Sequence, residues 1–128
     1  PHFNKNNYRS AFELCFYVTK GKPKTFNFIS QKECVNTFSY LIGKKLTNPP
    51  TEKPLDFIKR LIQISSNKND VVLDFFLGSG TTMFASQDLK RNCIGIELNP
   101  DYCNMIKKRC FTRRFLDREA IYHMKIIN

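Results

Sequence analysis

The sequence predicts an α/β fold, part of a doubly wound parallel sheet, and three observations carry that reading. First, Val71-Val72-Leu73 is a short apolar run ending in Asp74, the pattern of a strand buried on both faces of a parallel sheet. Second, Gly78 and Gly80 follow at once and lead into a helical stretch at Thr81. Glycine has no Cβ to hold a tight turn away from a ligand, and the free N–H groups of a helix start point back at such a turn. Third, an apolar run over residues 93–96 ends in Glu97, roughly twenty residues after Asp74. An acid at that place, outside the carboxyl end of a second strand, can hold ribose hydroxyls. The arrangement suits a nucleoside ligand. It excludes two common alternatives: position 83 is Met, so the dinucleotide fingerprint G-x-G-x-x-G is broken, and no G-x-x-x-x-G-K-[ST] phosphate loop is present.

The remaining elements follow in order. Residues 1–10 are polar and Asn-rich, with Lys5 and Arg9. Residues 11–20 are rich in aromatic and β-branched side chains and read as a strand ended by Gly21-Lys22-Pro23, with a second short strand over 25–29. In residues 31–48, Val35, Phe38, Leu41 and Ile42 fit one helical face, and Lys44-Lys45 is either solvated or in contact with phosphate. Pro54 suits a first helical turn. Leu55, Ile58, Leu61, Ile62 and Ser65 then share one face, with Lys59 and Arg60 away from it. Residues 67–70 turn the chain into the central strand. Residues 81–89 form the crossover helix, with Phe84, Ala85 and Leu89 for packing, and residues 90–92 turn into the second strand. Pro100 starts a further helix. Tyr102, Met105, Ile106 and Arg109 recur on it at i, i+3, i+4 and i+7, and a run of Lys107, Lys108, Arg109, Arg113, Arg114 and Arg118 follows on its polar side. Residues 120–127 read as a last strand.

At 128 residues the chain is one domain at most. Its 21 Lys and Arg against 11 Asp and Glu give a net charge of +10, an excess that favours a polyanionic partner, nucleic acid first among them, over mere solubilisation. The five cysteines are odd in number and form no C-x-x-C pair, so free thiols in a reducing cytosol fit better than a disulfide framework. Only His2 and His123 are available to join them, and neither has zinc-ligand spacing. With no apolar run near membrane-spanning length and no signal-peptide pattern, the expected location is the cytoplasm.

Asp74-Phe75-Phe76-Leu77-Gly78-Ser79-Gly80-Thr81-Thr82 resembles the glycine motif of the amino-methyltransferases of DNA, and Gly95-Ile96-Glu97-Leu98-Asn99-Pro100-Asp101-Tyr102 resembles the acidic segment that follows it in that family. Thr51-Glu52-Lys53-Pro54 is similar to the box that precedes the glycine motif in the permuted "beta" branch. Residues 8–13 resemble the family strand next to the loop that closes on the target base, with a plain edge hairpin as the other reading. The resemblance implies a Rossmann-like methyltransferase fold and S-adenosylmethionine as cofactor. It places Asp74, Phe75, Phe76, Gly78, Ser79, Gly80 and Thr81 around the cofactor, Glu97 on its ribose, and Lys53 at the edge of the pocket. It divides the chain into a hairpin and variable segment over 1–48 and a cofactor-binding core over 49–118.

The family methylates adenine N6 or cytosine N4 of DNA through a tetrapeptide [D/N/S]-P-P-[Y/F/W], which hydrogen-bonds the amine and stacks on the extruded base. Two stretches come near it. Asn48-Pro49-Pro50-Thr51 has Thr in place of the aromatic, and Asn99-Pro100-Asp101-Tyr102 has Asp in place of the second Pro. Neither qualifies, so no catalytic residue is assigned. The first Pro1 is not a start residue and a complete enzyme of this type is considerably longer, so a catalytic segment upstream or on a second chain is expected. The leading expectation is the cofactor-binding part of an adenine-N6 enzyme of a restriction–modification system acting on DNA. The alternatives are a non-catalytic nucleic-acid-binding remnant and a cytosine-N4 or RNA methyltransferase.

Overall fold

A computed structural model describes residues 12–39 and 52–116, with side chains to residue 112. The regular elements are α1 (Leu55–Ser65), β1 (Val71–Asp74), α2 (Thr81–Asp88), β2 (Asn92–Gly95) and α3 (Pro100–Leu116). β1 and β2 pair in parallel, in register from Val71 opposite Asn92 to Asp74 opposite Gly95. The pairing continues past the strands: Ile96 N–H donates to the Asp74 carbonyl at 2.8 Å, and Leu77 N–H to the Ile96 carbonyl at 2.9 Å. This is the β-α-β unit read from the sequence.

Side chains alternate across a strand, and paired residues of a parallel ladder share a face. Val72, Asp74, Cys93 and Gly95 therefore face the helices. Val71, Leu73 and Ile94 lie on the other face and are 60%, 50% and 55% exposed. The expectation that β1 is buried on both faces is thus not met among the described residues: all the helical packing falls on one side of the sheet. The core there is Leu77, Phe84, Ile106 and Cys110, with Leu55 and Met83 partly buried against it. On α3 the buried positions are Cys103, Ile106 and Cys110. The fully buried positions are therefore shifted from the predicted stripe: Ile106 belongs to both, while Tyr102, Met105 and Arg109 are half-buried beside it.

The two N-terminal strands do not form. Residues 12–29 contain no ladder, because a strand-like sequence needs a neighbour to accept its hydrogen bonds. The segment instead runs beside α1. Asn27 N–H donates to the Ile64 carbonyl at 2.8 Å, and Asn27 Nδ2 donates to the carbonyls of Gln63 at 2.9 Å and Ser66 at 2.8 Å. These are carbonyls at the end of α1 that the helix itself cannot satisfy, so Asn27 acts as a C-cap from a distant part of the chain. Residues 31–39 form turns and no helix; Leu41, Ile42, the Lys44-Lys45 pair, residues 48–51 and the strand expected over 120–127 lie outside the described residues. Arg60 binds the Glu33 main chain and carboxylate, the latter at 3.2 Å, and lies 4.6 Å over the Phe38 ring. Lys59 reaches Asp88 on α2 at 2.7 Å, so it faces a helix instead of pointing away. No described helix is long and apolar enough to cross a membrane.

Gly95 shows how close the packing is above the sheet. A Cβ at this position would lie 2.5 and 2.8 Å from the Leu77 methyl carbons. Leu77 is itself buried, so it has little room to retreat. Gly95→Ala is expected to cost about 1–3 kcal/mol, the usual range for overpacking, read as a lower urea midpoint with an unchanged slope.

Candidate functional site

The site forms where the chain leaves β1. Asp74 ends the strand, and its Oδ1 accepts the Phe76 N–H at 2.9 Å, which starts the turn. Gly78 and Gly80 have φ of +54° and +85°, values that are sterically costly for side chains with a Cβ. Gly80 is the N-cap of α2, and its N–H closes back on the Leu77 carbonyl at 2.9 Å. The glycines therefore do what their spacing implied: they reverse the chain within one turn and start a helix.

Glu97, two residues past β2, comes to this turn. Its Oε2 accepts the Gly78 N–H at 2.7 Å and its Oε1 accepts the Asn99 N–H at 2.7 Å. An ionised carboxylate has about four acceptor positions. With two of them filled by backbone, Glu97 is held rigidly and can still accept from two hydroxyls. Asn99 Oδ1 accepts the Asp101 N–H at 2.9 Å, so Asn99 caps α3 with Pro100 as its first residue, a favoured pairing. That is the structural role of the Asn-Pro pair in the second near-match to the family tetrapeptide.

The other predicted residues divide into two groups. Phe75 and Phe76 are exposed, Phe76 by 90%, and stand beside Asp74, Gly78 and Glu97 at the surface of the turn. Ser79, Gly80 and Thr81 are buried. The Ser79 and Thr81 hydroxyls lie 3.1 Å apart, and Ser79 Oγ donates to Glu52 Oε1 at 3.2 Å, so both side chains are engaged within the fold. Lys53 is half exposed and paired with Glu13; it does not reach Glu97. Cys93 lies beneath the turn on the helical side of the sheet. Burial pushes its thiol up from the ordinary value, a Ser86 hydrogen bond pulls the other way, and the Asp74 charge adds to the rise. A raised thiol pKa disfavours the reactive thiolate form.

Two residues of the site escaped the sequence reading. Glu52, next to the Lys53 that was singled out, accepts from Arg109 Nη1 at 3.1 Å, and the same Nη1 donates to the Ser79 carbonyl at 2.7 Å. The Arg109 guanidinium lies 4.5 Å over the Phe84 ring. In the sequence Arg109 falls on the helical stripe of Tyr102, Met105 and Ile106 and also within a run of cations, and neither pattern names its partners. A recess of ≈ 600 Å³ lined by Asn27, Gln63, Lys68 and Arg91, among others, lies beside the residues that precede the two strands. It is at the opposite end of the sheet and takes no part in this site. Among the described residues no group of acids, histidines and cysteines is arranged to hold a metal.

Comparison with known proteins gives a consistent answer. The chain is 48% identical over 85 residues to the Type II methyltransferase M1.MboII of Moraxella bovis, covering 63% of this chain and 30% of that protein. It is 47% identical over 110 residues to the DNA adenine methyltransferase YhdJ of Escherichia coli, covering 83% and 37%. The crystal structure of the M1.HpyAVI-SAM complex superposes with a TM-score of 0.52 at 43% identity, covering 66% of this chain and 42% of that one. The chain thus spans about a third of the length of these curated relatives. The family model for DNA methylases, N6_N4_Mtase, matches residues 1–108. With the parallel β-α-β unit, the glycine turn and the acid brought to it, this match establishes that the chain belongs to the N6-adenine and N4-cytosine DNA methyltransferase family.

Proposed function

We propose that residues 49–118 form the S-adenosylmethionine-binding part of a DNA methyltransferase. The observation that carries this reading is the Glu97 carboxylate, fixed by the Gly78 N–H with acceptor capacity left over at the mouth of the glycine turn. The residues fit the cofactor. Glu97 offers acceptors for ribose hydroxyls. A Cβ on Gly78 would meet only the Phe76 carbonyl, at 3.8 Å, so the space above it is open to a ligand. Phe75 and Phe76 supply accessible ring surface beside it. Asp74 and the backbone of Gly78 to Thr81 complete the cradle, and Lys53 stands at its rim in a pair with Glu13. When bound, the cofactor supplies an electrophilic methyl group on sulfonium; this chain's residues bind and orient it.

Adenine N6 is the proposed target, supported by the Escherichia coli relative whose name states adenine. DNA is the proposed partner, and the net charge of +10 supplies the attraction to phosphate that such binding needs. We assign no catalytic residue to the chain. Asn99 Oδ1 is committed to capping α3, and Asn48-Pro49-Pro50-Thr51 lacks a ring to stack on a base. The catalytic tetrapeptide is proposed to lie on a segment outside these 128 residues or on a second chain. The half-exposed apolar face of Val71, Leu73 and Ile94 fits the same proposal, because a parallel sheet is covered on both faces when its domain is whole.

The test is calorimetric titration of S-adenosylmethionine into the chain and into Glu97→Ala. The variant is expected to bind about 1–3 kcal/mol more weakly, the range for leaving polar partners unmatched. An unchanged dissociation constant removes Glu97 from the ribose.

A further inference from the structure

We propose that Arg109 is a positioning residue for the methyl-donor site, holding the glycine turn in its receptive conformation without touching the ligand. The proposal rests on the cofactor reading above and goes beyond it, because neither the motif nor the family match assigns Arg109 a role.

The geometry is specific to one peptide group, the one joining Ser79 to Gly80. Its carbonyl accepts from Arg109 Nη1 at 2.7 Å, and its N–H donates to the Leu77 carbonyl at 2.9 Å. Both edges of the peptide plane are thereby held. Rotation of that plane changes ψ of Ser79 and φ of Gly80 together. The φ of +85° at Gly80, on which the reversal of the chain depends, is therefore maintained partly from α3. Glu52 completes the clamp. Its Oε1 accepts from Arg109 at 3.1 Å and from Ser79 Oγ at 3.2 Å, so the ion pair grips Ser79 by both its main chain and its side chain. The pair is largely withdrawn from water, with side-chain exposures of 27% for Arg109 and 13% for Glu52. A half-broken pair in such a place leaves an uncompensated charge. Below the clamp the guanidinium rests on Phe84, the side chain of α2 that also backs Gly80. Three separate segments, before α1, at the start of α2 and along α3, thus meet at one guanidinium. It acts on the cofactor through the turn, since its Nη1 is directed at Glu52 and the Ser79 carbonyl.

The experiment measures S-adenosylmethionine affinity by calorimetry and backbone amide exchange in the same 128-residue chain. Arg109→Met keeps an unbranched stem over Phe84 and removes the fork. Arg109→Lys keeps the charge and loses the planar donors, which are not interchangeable with an ammonium. Arg109→Met is expected to weaken binding roughly ten- to a hundred-fold, as for loss of a hydrogen bond to a charged group. It is also expected to speed exchange at residues 78–81 while α1 exchange is unchanged. Arg109→Lys is expected to recover only a small part of the affinity. Glu52→Gln loosens the clamp without removing the ring contact, and is expected to shift affinity in the same direction; it carries the test if Arg109→Met does not fold. Wild-type binding with unchanged affinity in the folded variants overturns the proposal while leaving the cofactor reading intact. Exchange that rises uniformly, α1 included, with affinity unchanged also overturns it, since that is the mark of a purely structural residue. A wild-type chain that does not bind at all overturns the cofactor reading and this proposal together.

Discussion

Methyl transfer from labelled S-adenosylmethionine to mixed-sequence DNA is expected to stay at background with the 128-residue chain alone. The exocyclic amine of adenine or cytosine is a weak nucleophile, because its lone pair is delocalised into the ring. In the family the tetrapeptide draws hydrogen bonds from that amine and stacks on the base. Without it the amine is neither placed nor oriented. Orientation of this kind is worth roughly 7–11 kcal/mol of barrier, so its loss lowers the rate by several orders of magnitude. The net positive charge and the proposed cofactor cradle do not depend on that tetrapeptide. Salt-sensitive DNA binding and cofactor binding are therefore expected to persist without turnover. Supplying a polypeptide that carries an Asp-Pro-Pro-Tyr segment and covers the open face of β1 and β2 is expected to restore transfer. Robust transfer by the chain alone would show that the catalytic loop is within it, with Asn48-Pro49-Pro50-Thr51 the first stretch to substitute.

Phe84→Ala is expected to cost about 3–5 kcal/mol, as for other fully buried aromatic rings, and to abolish cofactor binding. Phe84 is 1% exposed and packs in the cluster of Leu77, Ile106 and Cys110. It is also the support for the two features that shape the site: the Arg109 guanidinium lies over its ring at 4.5 Å, and its Cε2 is 3.1 Å from where a Cβ of Gly80 would be. Small domains have only a few kcal/mol of stability to lose, and among the described residues one face of the sheet is left exposed, so the loss is expected to bring the thermal midpoint close to ambient temperature. Phe76→Ala is the contrast. Its ring is 90% exposed, and removing it is expected to leave the melting curve within about 0.5 kcal/mol of wild type while weakening cofactor binding. Equal melting shifts for the two variants would contradict the assignment of one ring to the core and the other to the mouth of the site.

The strand-like N-terminal segment shows how context overrides propensity. Residues 12–18 have the composition of a strand, and Phe12, Leu14, Phe16 and Val18 are all exposed. Propensity for a strand reflects packing against neighbours more than any intrinsic backbone preference. Among the described residues no neighbouring edge accepts the segment, and it runs as an irregular strap, held at Asn27 by the end of α1.

The sequence by itself determined what depends on near neighbours. The apolar run into Asp74, the glycines at +54° and +85° φ, the helix from Thr81, the Asn99-Pro100 start of α3 and the parallel return to Glu97 all follow from local sterics, capping and strand–helix alternation. Their order along the chain was enough to point to a nucleoside site and to the family. Tertiary structure alone decided which face of β1 is covered, which stripe of α3 turns inward, and that Lys59 and Arg60 are held by partners on α2 and the N-terminal strap. It alone decided that Glu52 and Arg109, far apart in the chain, close on the Ser79 carbonyl and hydroxyl. Periodicity marks a side as apolar or charged, but a contact between distant segments depends on where the packed elements place their side chains. A cation on the shoulder of an amphipathic helix reads the same in sequence whether it meets water or a carbonyl. Only the packing of α3 against α2, around Phe84 and Ile106, turned Arg109 toward the glycine turn.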